Sequence, residues 1–561
     1  MNARNLCRTA ATVFVATAGL AVLLALLQAS AMAHAGSSLT GRLSTTAAGA
    51  ASTATITVTT FADELTTNGN CSLREAIQSA NTGSAVDGCA APGTTNTIIR
   101  LAAGTYALAL AGANEDANQT GDFDLLAAIE VVGRGSDETH IDGADLDRVL
   151  HVHAGATVVV NGVTLRNGRA PDGAVVSPTV EAGKPGGAIL NSGDLTLLDS
   201  RVTASHAGDG ASSPSDYFSS DRGGNGGHGG GIFSDGSLRV QRSAILSNTT
   251  GTGGDGPCGG GGNGGDGGGI YNSGLLTLTE STVRGNLTGR SGSGTCPPGI
   301  IGGTGGAGGA IANDGGAVVE FSSILANSTA AGVDLGGTHA LGGHGGPGGG
   351  IANTGSMSVD NSTVSGNAAG NGGGGGASGG GNGGDGGGIY NVMSGTLTID
   401  AATITLNSAG VAGTGLWGTG GGTDGQGGGV ANTGTLQVKN TVVAGNIARR
   451  APDCAGVLNS FDYNLVEDVD GCTLTGTTTH VLTGTAPLLG ALTDNGGPTL
   501  THDPLLASPL RDGGACTTIL GATMNRDQRG WPRPMDATCD MGAVEWGFAA
   551  WQWLPAIKLA D

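Results

Sequence analysis

Residues 268–286 read GGIYNSGLLTLTESTVRGN, and the chain contains seven copies of this phrase. The hydrophobic residue after each glycine cluster marks the copies: Ile189, Ile232, Ile270, Ile311, Ile351, Ile389 and Val430. Successive markers lie 38 to 43 residues apart. A period near 40 residues, kept over seven copies, is typical of a solenoid in which each unit packs chiefly on its neighbours.

Alternating apolar and polar residues within each copy predict short β-strands, as in Leu276-Thr277-Leu278. Asparagine recurs two residues after the marker, at Asn191, Asn272, Asn313, Asn353, Asn391 and Asn432. A second row, the asparagine ladder, comprises Asn248, Asn286, Asn327, Asn367, Asn407 and Asn446, with Ser205 in the first copy. Stacked identical coils explain such rows, because an asparagine amide can bond to the same amide one coil above. We therefore predict an all-β fold, a parallel β-helix.

The other 18 to 23 residues of each period are glycine-rich, as in residues 259–266. We expect these insertions to leave the coil at one corner and to lie side by side along one face of the rod, without adding a core layer. Two interpretations stay open. The insertions form a binding surface, or they are flexible linkers that bind nothing.

The composition excludes several classes of protein. Of 561 residues, 112 are glycine, yet 38% are hydrophobic and only 12% are charged. Disorder needs high charge with low hydrophobicity, and collagen needs glycine at every third position, so neither class fits. The formal charge of −21 disfavours nucleic acid and anionic lipid as partners.

The first 35 residues have the pattern of a secretory signal peptide, with Arg4 and Arg8, an apolar stretch at 10–27, and small-residue cleavage sites at 31–35. A retained anchor helix is the alternative, disfavoured by the threonines and glycines of the apolar stretch. No later segment is apolar enough to span a bilayer. The sequence therefore predicts export.

Eight cysteines remain once the signal peptide, which contains Cys7, is removed. They form near neighbours in the chain: Cys71 with Cys89, Cys258 with Cys296, Cys454 with Cys472, and Cys516 with Cys539. In an exported protein this predicts four local disulfides. Zinc binding is the weaker alternative, because two cysteines never occur at a short two-residue spacing.

The chain divides into six segments: a signal peptide (1–35), an N-terminal cap with the first coils (52–110), further coils (111–185), the seven repeats (186–450), a C-terminal region (451–546) and a tail (547–561). Within the cap, Leu73, Ala76, Ile77 and Ala80 have helical spacing, and Ser72 with Glu75 forms a capping box. We expect this short helix to close the open end of the first coil.

The stretch Cys71-Ser72-Leu73-Arg74-Glu75-Ala76 matches, letter for letter, the motif of the CSLREA-domain family of bacterial surface proteins. The repeated phrases are similar to those of the chlamydial polymorphic outer-membrane proteins, which are adhesins. Residues 489–499, 527–530 and 539–545 resemble the choice-of-anchor Q domain, which typically precedes a surface-sorting signal. These resemblances imply a secreted, right-handed β-helix at a bacterial cell surface.

One polar row, at the turn after the second strand of each copy, is the candidate for catalysis: Asp199, Arg242, Glu280, Glu320, Asp360, Asp400 and Lys439. Neighbours in it would lie about 5 Å apart. A polysaccharide lyase needs Arg or Lys beside calcium-holding carboxylates, and a glycosidase needs paired carboxylates about 5–10 Å apart. Because the residue types vary without a concentrated cluster, we favour a solvated ridge and assign no catalytic residue.

Three weaker signals remain. His151 and His153 share a strand face near Asp145 and Asp147, which is a weak metal site. The Gly-His-Gly at 227–229 is similar to that of pectin hydrolases, but the partner aspartates of that family are not nearby. Residues 261–266 and 380–385 approach the calcium nonapeptide without its large hydrophobic residue. We expect no cofactor, with calcium as the open alternative.

Our leading hypothesis is an exported, non-catalytic β-helix that contacts a polysaccharide, the extracellular matrix or another cell-surface component through its glycine-rich face. The alternative is a polysaccharide lyase or glycoside hydrolase on a pectate-lyase-like β-helix. A third possibility is a spacer that binds nothing. The first two differ in whether the polar row lines an open cleft with several carboxylates.

Overall fold

The computed structural model describes residues 53–93, 96–176, 179–214, 222–256, 260–294, 302–336, 340–416 and 420–547. The predicted signal peptide, Cys258 and Cys296 lie outside these residues, as does the tail beyond residue 547. Within the described residues, no helix is both long and apolar enough to cross a bilayer.

Each coil of the seven repeats consists of three short strands, which pair in parallel with the same strands of the next coil. The first strands form one ladder: Phe123–Leu125, Leu150–Val152, Ile189–Asn191, Ile232–Ser234, Ile270–Asn272, Ile311–Asn313, Ile351–Asn353, Ile389–Asn391 and Val430–Asn432. The second strands form another: Thr53–Thr57, Asn96–Arg100, Ala128–Val132, Thr157–Asn161, Asp194–Leu198, Ser237–Gln241, Leu275–Thr279, Gly316–Glu320, Ser356–Asp360, Thr396–Asp400 and Thr435–Lys439. Cys454–Phe461 pairs with the ends of both ladders and with Cys472–Thr477. The predicted all-β parallel β-helix is confirmed.

The third strands complete the coil: Gly104–Ala107, Thr139–Asp142, Thr164–Arg166, Arg201–Thr203, Ala244–Leu246, Thr282–Arg284, Ser323–Leu325, Thr363–Ser365, Thr403–Thr405, Val442–Ala444, Leu465–Val466 and Leu482–Thr483. One short antiparallel pair, Val175–Val176 with Thr179–Val180, lies outside the ladders. Equivalent residues stack in register, so that Leu278 pairs between Val240 and Val319, and all three are buried.

The asparagine ladder runs through the corner after the third strands. The Asn286 side-chain amide donates to Asn327 Oδ1 (2.9 Å) and to the Ile245 carbonyl (3.0 Å). In turn, Asn286 Oδ1 accepts from the backbone N–H and the amide of Asn248 (2.9 and 3.0 Å). Each asparagine thereby satisfies buried polar groups of its neighbouring coils. The second asparagine row makes the same kind of amide contact, as between Asn272 and Asn313 (2.7 Å).

The N-terminal helix spans Leu73–Thr82 and has the predicted capping box of Ser72 and Glu75. Its apolar face, which includes Ile77, joins the core at the open end of the rod. The fully buried Arg74 pairs with Asp63 (2.6 Å) and donates to the Gly121 carbonyl (2.7 Å). These contacts fasten the helix to the first coils.

Residues 485–547, which we call the C-terminal cover, fold back along the third-strand ladder. The Ser323 hydroxyl donates to the Leu500 carbonyl (2.7 Å), and the Thr363 hydroxyl donates to Gln528 Oε1 (2.7 Å). The Ala543 N–H donates to the Thr403 hydroxyl (3.0 Å). The cover therefore occupies the lateral face of the later coils.

Within the part of the chain that the structure describes, three disulfides join Cys71 to Cys89, Cys454 to Cys472, and Cys516 to Cys539. These are near-neighbour pairs of the kind that the spacing predicts. They close the N-terminal cap, link the last two long strands, and cross-link the C-terminal cover, which has little regular secondary structure. Three disulfides suit a protein that folds in an oxidising compartment.

Candidate functional site

Each glycine-rich insertion consists of an outgoing and a returning segment, such as 250–256 and 260–267. The Gly251 N–H donates to the Gly227 carbonyl of the previous coil (3.1 Å), and the Gly265 N–H donates to the Gly251 carbonyl (2.9 Å). Three residues further along, the Gly254 N–H donates to the Gly224 carbonyl (2.8 Å). Three residues per turn is the period of polyproline II chains. Backbone hydrogen bonds therefore join the outgoing and returning segments of adjacent coils.

We call this layer the glycine slab, and it comprises residues 207–214, 222–229, 250–256, 260–267, 288–294, 302–308, 329–336, 340–348, 369–375, 379–386, 409–415 and 420–427. A Cβ on Gly251 would lie 1.7 Å from the Gly208 carbonyl oxygen, and one on Gly265 would lie 2.0 Å from the Gly227 carbonyl oxygen. Only glycine fits between backbones this close. Among the described residues the insertions add nothing to the hydrophobic core, but their glycines bury one another in a layer that the sequence did not indicate.

Every third residue of a segment faces outward. Two outward rows lie on the returning segments: Asn225, Asn263, Thr304, His344, Asn382 and Thr423, and then His228, Asp266, Ala307, Pro347, Asp385 and Gln426. Neighbours within a row are about 4.8 Å apart, as in other parallel ladders. The two rows are about 9 Å apart, which is three residues of extended chain. The returning segments therefore display a regular lattice of side chains.

Many of these side chains also support the next coil. Asn263 Oδ1 accepts the Thr304 N–H (3.0 Å), and Asp266 Oδ1 accepts the Ala307 N–H (2.6 Å). On an outgoing segment, Asp255 Oδ1 accepts the Ser293 N–H (2.7 Å). An asparagine or aspartate at an outward position thus satisfies a backbone donor that glycine cannot satisfy. The tracts that approach the calcium nonapeptide have this structural role.

An aromatic pair lies at the base of the returning segments, on the outer side of the first-strand ladder. The rings of Phe233 and Tyr271 stack with centroids 5.2 Å apart and an interplanar angle of 7°. The His228 ring stacks on Tyr271 from the glycine slab, with centroids 4.8 Å apart. The Tyr271 hydroxyl donates to Asp314, and burial together with this carboxylate raises the pKa of Tyr271. The returning rows and this aromatic pair together form the returning face.

The early part of the polar row is open and self-paired. Arg242 clamps Asp199 with two hydrogen bonds (2.8 and 2.9 Å), and Arg526 of the C-terminal cover lies 3.3 Å from Glu280. A shallow pocket of about 230 Å³ lies among these side chains. The hydrogen bond to Asp199 raises the pKa of Arg242, so this arginine is a poor proton acceptor.

The later part of the polar row is covered, so the expectation of a solvated ridge is wrong there. Asp400 accepts the Ile519 N–H (2.7 Å), and the Lys439 ammonium donates to the Thr517 hydroxyl (2.9 Å). Burial raises the pKa of Asp400 to about 6. The repeat pattern could not indicate this contact, because the cover comes from outside the repeats.

The structure separates the four residues of the weak metal site. Asp145 is exposed, and Asp147 is buried with its pKa raised to about 6 by burial and by the nearby Asp122. His151 and His153 instead lie beside Asp124, one coil earlier. The Gly-His-Gly tract belongs to the glycine slab, where His228 Nδ1 accepts the Asp266 N–H (2.9 Å).

Asp453 is a residue that the sequence pattern missed. It ends the asparagine ladder, because its Oδ1 accepts both the amide (2.9 Å) and the backbone N–H (3.1 Å) of Asn446. At this last position only an acceptor is needed, which suits a carboxylate. The sequence feature that could have indicated Asp453 is an acidic residue a few positions after the final asparagine of the ladder, where the 40-residue period stops.

No family model matches the chain, and no curated protein matches its sequence. Among solved structures the chain is similar to the pectate lyase Pel9A, with 11% identity over 80% of this chain and 88% of that one, at a TM-score of 0.35. It is also similar to the A-module of the Azotobacter vinelandii mannuronan C-5 epimerase AlgE4, with 12% identity over 75% and 95%, at a TM-score of 0.24. Likenesses this weak carry no argument about function.

Proposed function

We propose that the protein is an exported, non-catalytic β-helix rod that binds an extended polysaccharide through its returning face. The observation that supports this most is the regular lattice of outward side chains on the returning segments. A polymer of identical sugars presents the same groups at a fixed spacing, so a repeating surface can bind it at many points. Each contact is weak, but many linked contacts add up to useful avidity.

The chemistry of the returning face suits sugars. Its rows offer amides, hydroxyls and carboxylates, which donate to and accept from sugar hydroxyls. The stacked rings of Phe233 and Tyr271 give an apolar platform with a polar edge. A formal charge of −21 favours a neutral chain over an anionic one.

Export and a place at the cell surface are part of this proposal. The N-terminal sequence pattern, the three disulfides and the resemblance to CSLREA-domain and choice-of-anchor Q proteins support it. The alternative, a polysaccharide lyase or hydrolase, would use the open pocket beside Asp199 and Glu280. The ion pair that occupies Arg242 argues against it.

The test is co-sedimentation of the intact protein with insoluble neutral polysaccharides, such as cellulose, chitin and mannan. We expect binding to at least one of them. The double variant Phe233→Ala with Tyr271→Ala should bind about tenfold more weakly, the equivalent of roughly 1.4 kcal/mol. Arg239→Ala changes an exposed residue of the second-strand ladder, which is not part of the returning face, and should bind as the parent does.

Two results would contradict the proposal. Absence of binding to every polymer, with the fold intact by circular dichroism, would favour a spacer. Release of unsaturated sugars or new reducing ends from any polysaccharide, abolished by Glu280→Gln, would establish the enzyme instead.

A further inference from the structure

Four potential metal ligands converge on the outer side of the first coils: Asp116, Asp124, His151 and His153. Their ligand atoms all lie within 4.8 Å of one another. His153 Nε2 is 2.8 Å from Asp124 Oδ1, and His151 Nδ1 is 3.4 Å from the same oxygen. Asp116 Oδ1 is 3.6 Å from His151 Nδ1. Three separate segments of chain therefore bring two imidazoles and two carboxylates to one point.

The first-strand ladder explains part of this convergence. Asp124 and His151 are register partners in adjacent parallel strands, so their side chains lie on the same face. His153 follows two residues after His151, and their rings stack with centroids only 3.7 Å apart. A metal ion binds imidazole through a neutral ring nitrogen, so one cation can bind both rings.

One polar atom of the cluster has no hydrogen-bond partner in the protein. His151 Nδ1 is buried and has no hydrogen-bond partner, although two carboxylate oxygens lie nearby. The Asp124 side chain is fully buried. Buried polar atoms without a partner are uncommon in native proteins and call for a ligand or an ordered water. The convergence of ligand types is a second, separate observation that indicates a cation.

The distances suit a small transition-metal ion. Zinc binds imidazole nitrogen and carboxylate oxygen at about 2.0–2.2 Å, which places tetrahedral ligands roughly 3.3 Å apart. The ligand-atom separations of 2.8, 3.4 and 3.6 Å fall around that value, and all four ligand atoms lie within 4.8 Å of one another. Calcium and magnesium prefer all-oxygen sites, so the two imidazoles disfavour them.

Neighbouring residues hold the ligands in place, as second-layer contacts do in zinc sites. The Asn118 N–H donates to Asp124 Oδ2 (2.8 Å), and the Asn118 amide donates to the Arg74 carbonyl of the N-terminal helix (2.9 Å). The Asn81 amide donates to the Asp124 carbonyl (2.7 Å). Asp116 is largely exposed and leaves a route for the ion from solvent.

We propose that Asp116, Asp124, His151 and His153 bind one divalent transition-metal ion of the zinc class. The ion ties the loop that contains Asp116 and Asn118 to the first coils and to the N-terminal helix, and its role is structural. This inference is independent of the proposed polysaccharide binding, because the cluster lies in the first coils, before the seven repeats.

The test uses the intact protein, stripped with EDTA and then titrated with Zn²⁺ against a chromogenic chelator. We expect one tight site per chain and a higher thermal unfolding midpoint with zinc than without it. The variants His151→Ala and Asp116→Asn should weaken zinc affinity at least tenfold, which is the loss usual for disturbed zinc sites. Substitution by Co²⁺ should give the strong visible absorption of a four-coordinate site.

Two control variants make the test specific. Asp145→Asn removes a nearby exposed carboxylate, and His480→Ala removes a histidine that pairs with Asp462 at the other end of the rod (2.8 Å). Neither should change zinc affinity or the zinc-induced shift in unfolding. Because Asp116 is exposed, Asp116→Asn should fold normally even if changes at the buried Asp124 do not. Absence of a tight site in the parent protein, or unchanged affinity in Asp116→Asn and His151→Ala, would overturn the proposal.

Discussion

In the interior of the β-helix, Leu278 stacks between Val240 and Val319, and the coil is held by the burial of such side chains. In the glycine slab, Gly251 lies between backbones that leave no room for a Cβ, and the segments are held by N–H to carbonyl bonds. The same polypeptide thus packs one region with side chains and the other without them. A glycine-rich stretch with a period of three therefore forms a packed layer when a rigid scaffold sets its spacing.

The asparagine ladder lies at the boundary of the two regions, and its loss should have the largest effect. Asn286→Leu removes the partners of the Asn248 N–H and the Ile245 carbonyl, both buried. Each unsatisfied group costs about 1–3 kcal/mol, so we expect a loss of roughly 4 kcal/mol in unfolding free energy. Urea denaturation measures this. Asn286→Ser, which imitates Ser205 of the first copy, should cost less, and equal losses would argue against the ladder.

The C-terminal cover should respond to pH. Burial raises the pKa of Asp400 to about 6 and that of Glu545 to about 7, both above their ordinary values. The contribution of these two carboxyls to the folded, docked cover is therefore largest below about pH 4, where they are protonated in either state, and it weakens as pH rises from about 4 to about 7. For Asp400 the difference amounts to about 3 kcal/mol.

Amide exchange of the cover, corrected for the intrinsic effect of pH, measures this dependence. The Ile519 N–H donates a hydrogen bond to the Asp400 carboxyl. Its protection from exchange should be higher at pH 5 than at pH 8. Asp400→Asn should reduce the pH dependence, whereas Asp199→Asn, in the open part of the same row, should leave it unchanged. Protection that rises with pH would contradict the expected direction.

Within the glycine slab, Gly251→Ala should destabilise the protein by about 1–3 kcal/mol, the usual range for overpacking. Its Cβ would meet the Gly208 carbonyl oxygen at 1.7 Å. Gly336→Ala is the matched control, because nothing lies within 4 Å of the added Cβ. Thermal unfolding of both variants measures the difference. If both were neutral, the slab would not be a packed layer.

The smallest effect concerns the outward rows. Asp255→Ala removes the acceptor for the Ser293 N–H and should cost about 1 kcal/mol, the typical contribution of one hydrogen bond. Arg290→Ala changes an outward residue of the next coil that offers donors only, so it should be close to neutral. Chemical denaturation distinguishes the two. A larger loss of unfolding free energy for Arg290→Ala than for Asp255→Ala would show that charge, and not the hydrogen bond to the Ser293 N–H, stabilises the outward rows.

The repeat made the coil predictable, because the marker isoleucines and the asparagine ladder recur at fixed positions. The capping box at Ser72 and Glu75 likewise predicted the N-terminal helix. The slab was not predicted, since a glycine-rich tract looks like a linker until the close approach of its neighbours is seen. The cluster around Asp124 was missed because register pairs it with His151, which lies 27 residues later in the chain.

Hydrogen exchange of the glycine amides decides whether the glycine slab is a packed layer. In the intact protein we expect the amides of Gly251, Gly254 and Gly265, each bonded to a carbonyl of a facing segment, to exchange slowly, with protection approaching that of the Leu278 strand. Exchange at the rate of an unstructured chain, while the strand amides stay protected, would show that the segments are linkers and that no slab exists.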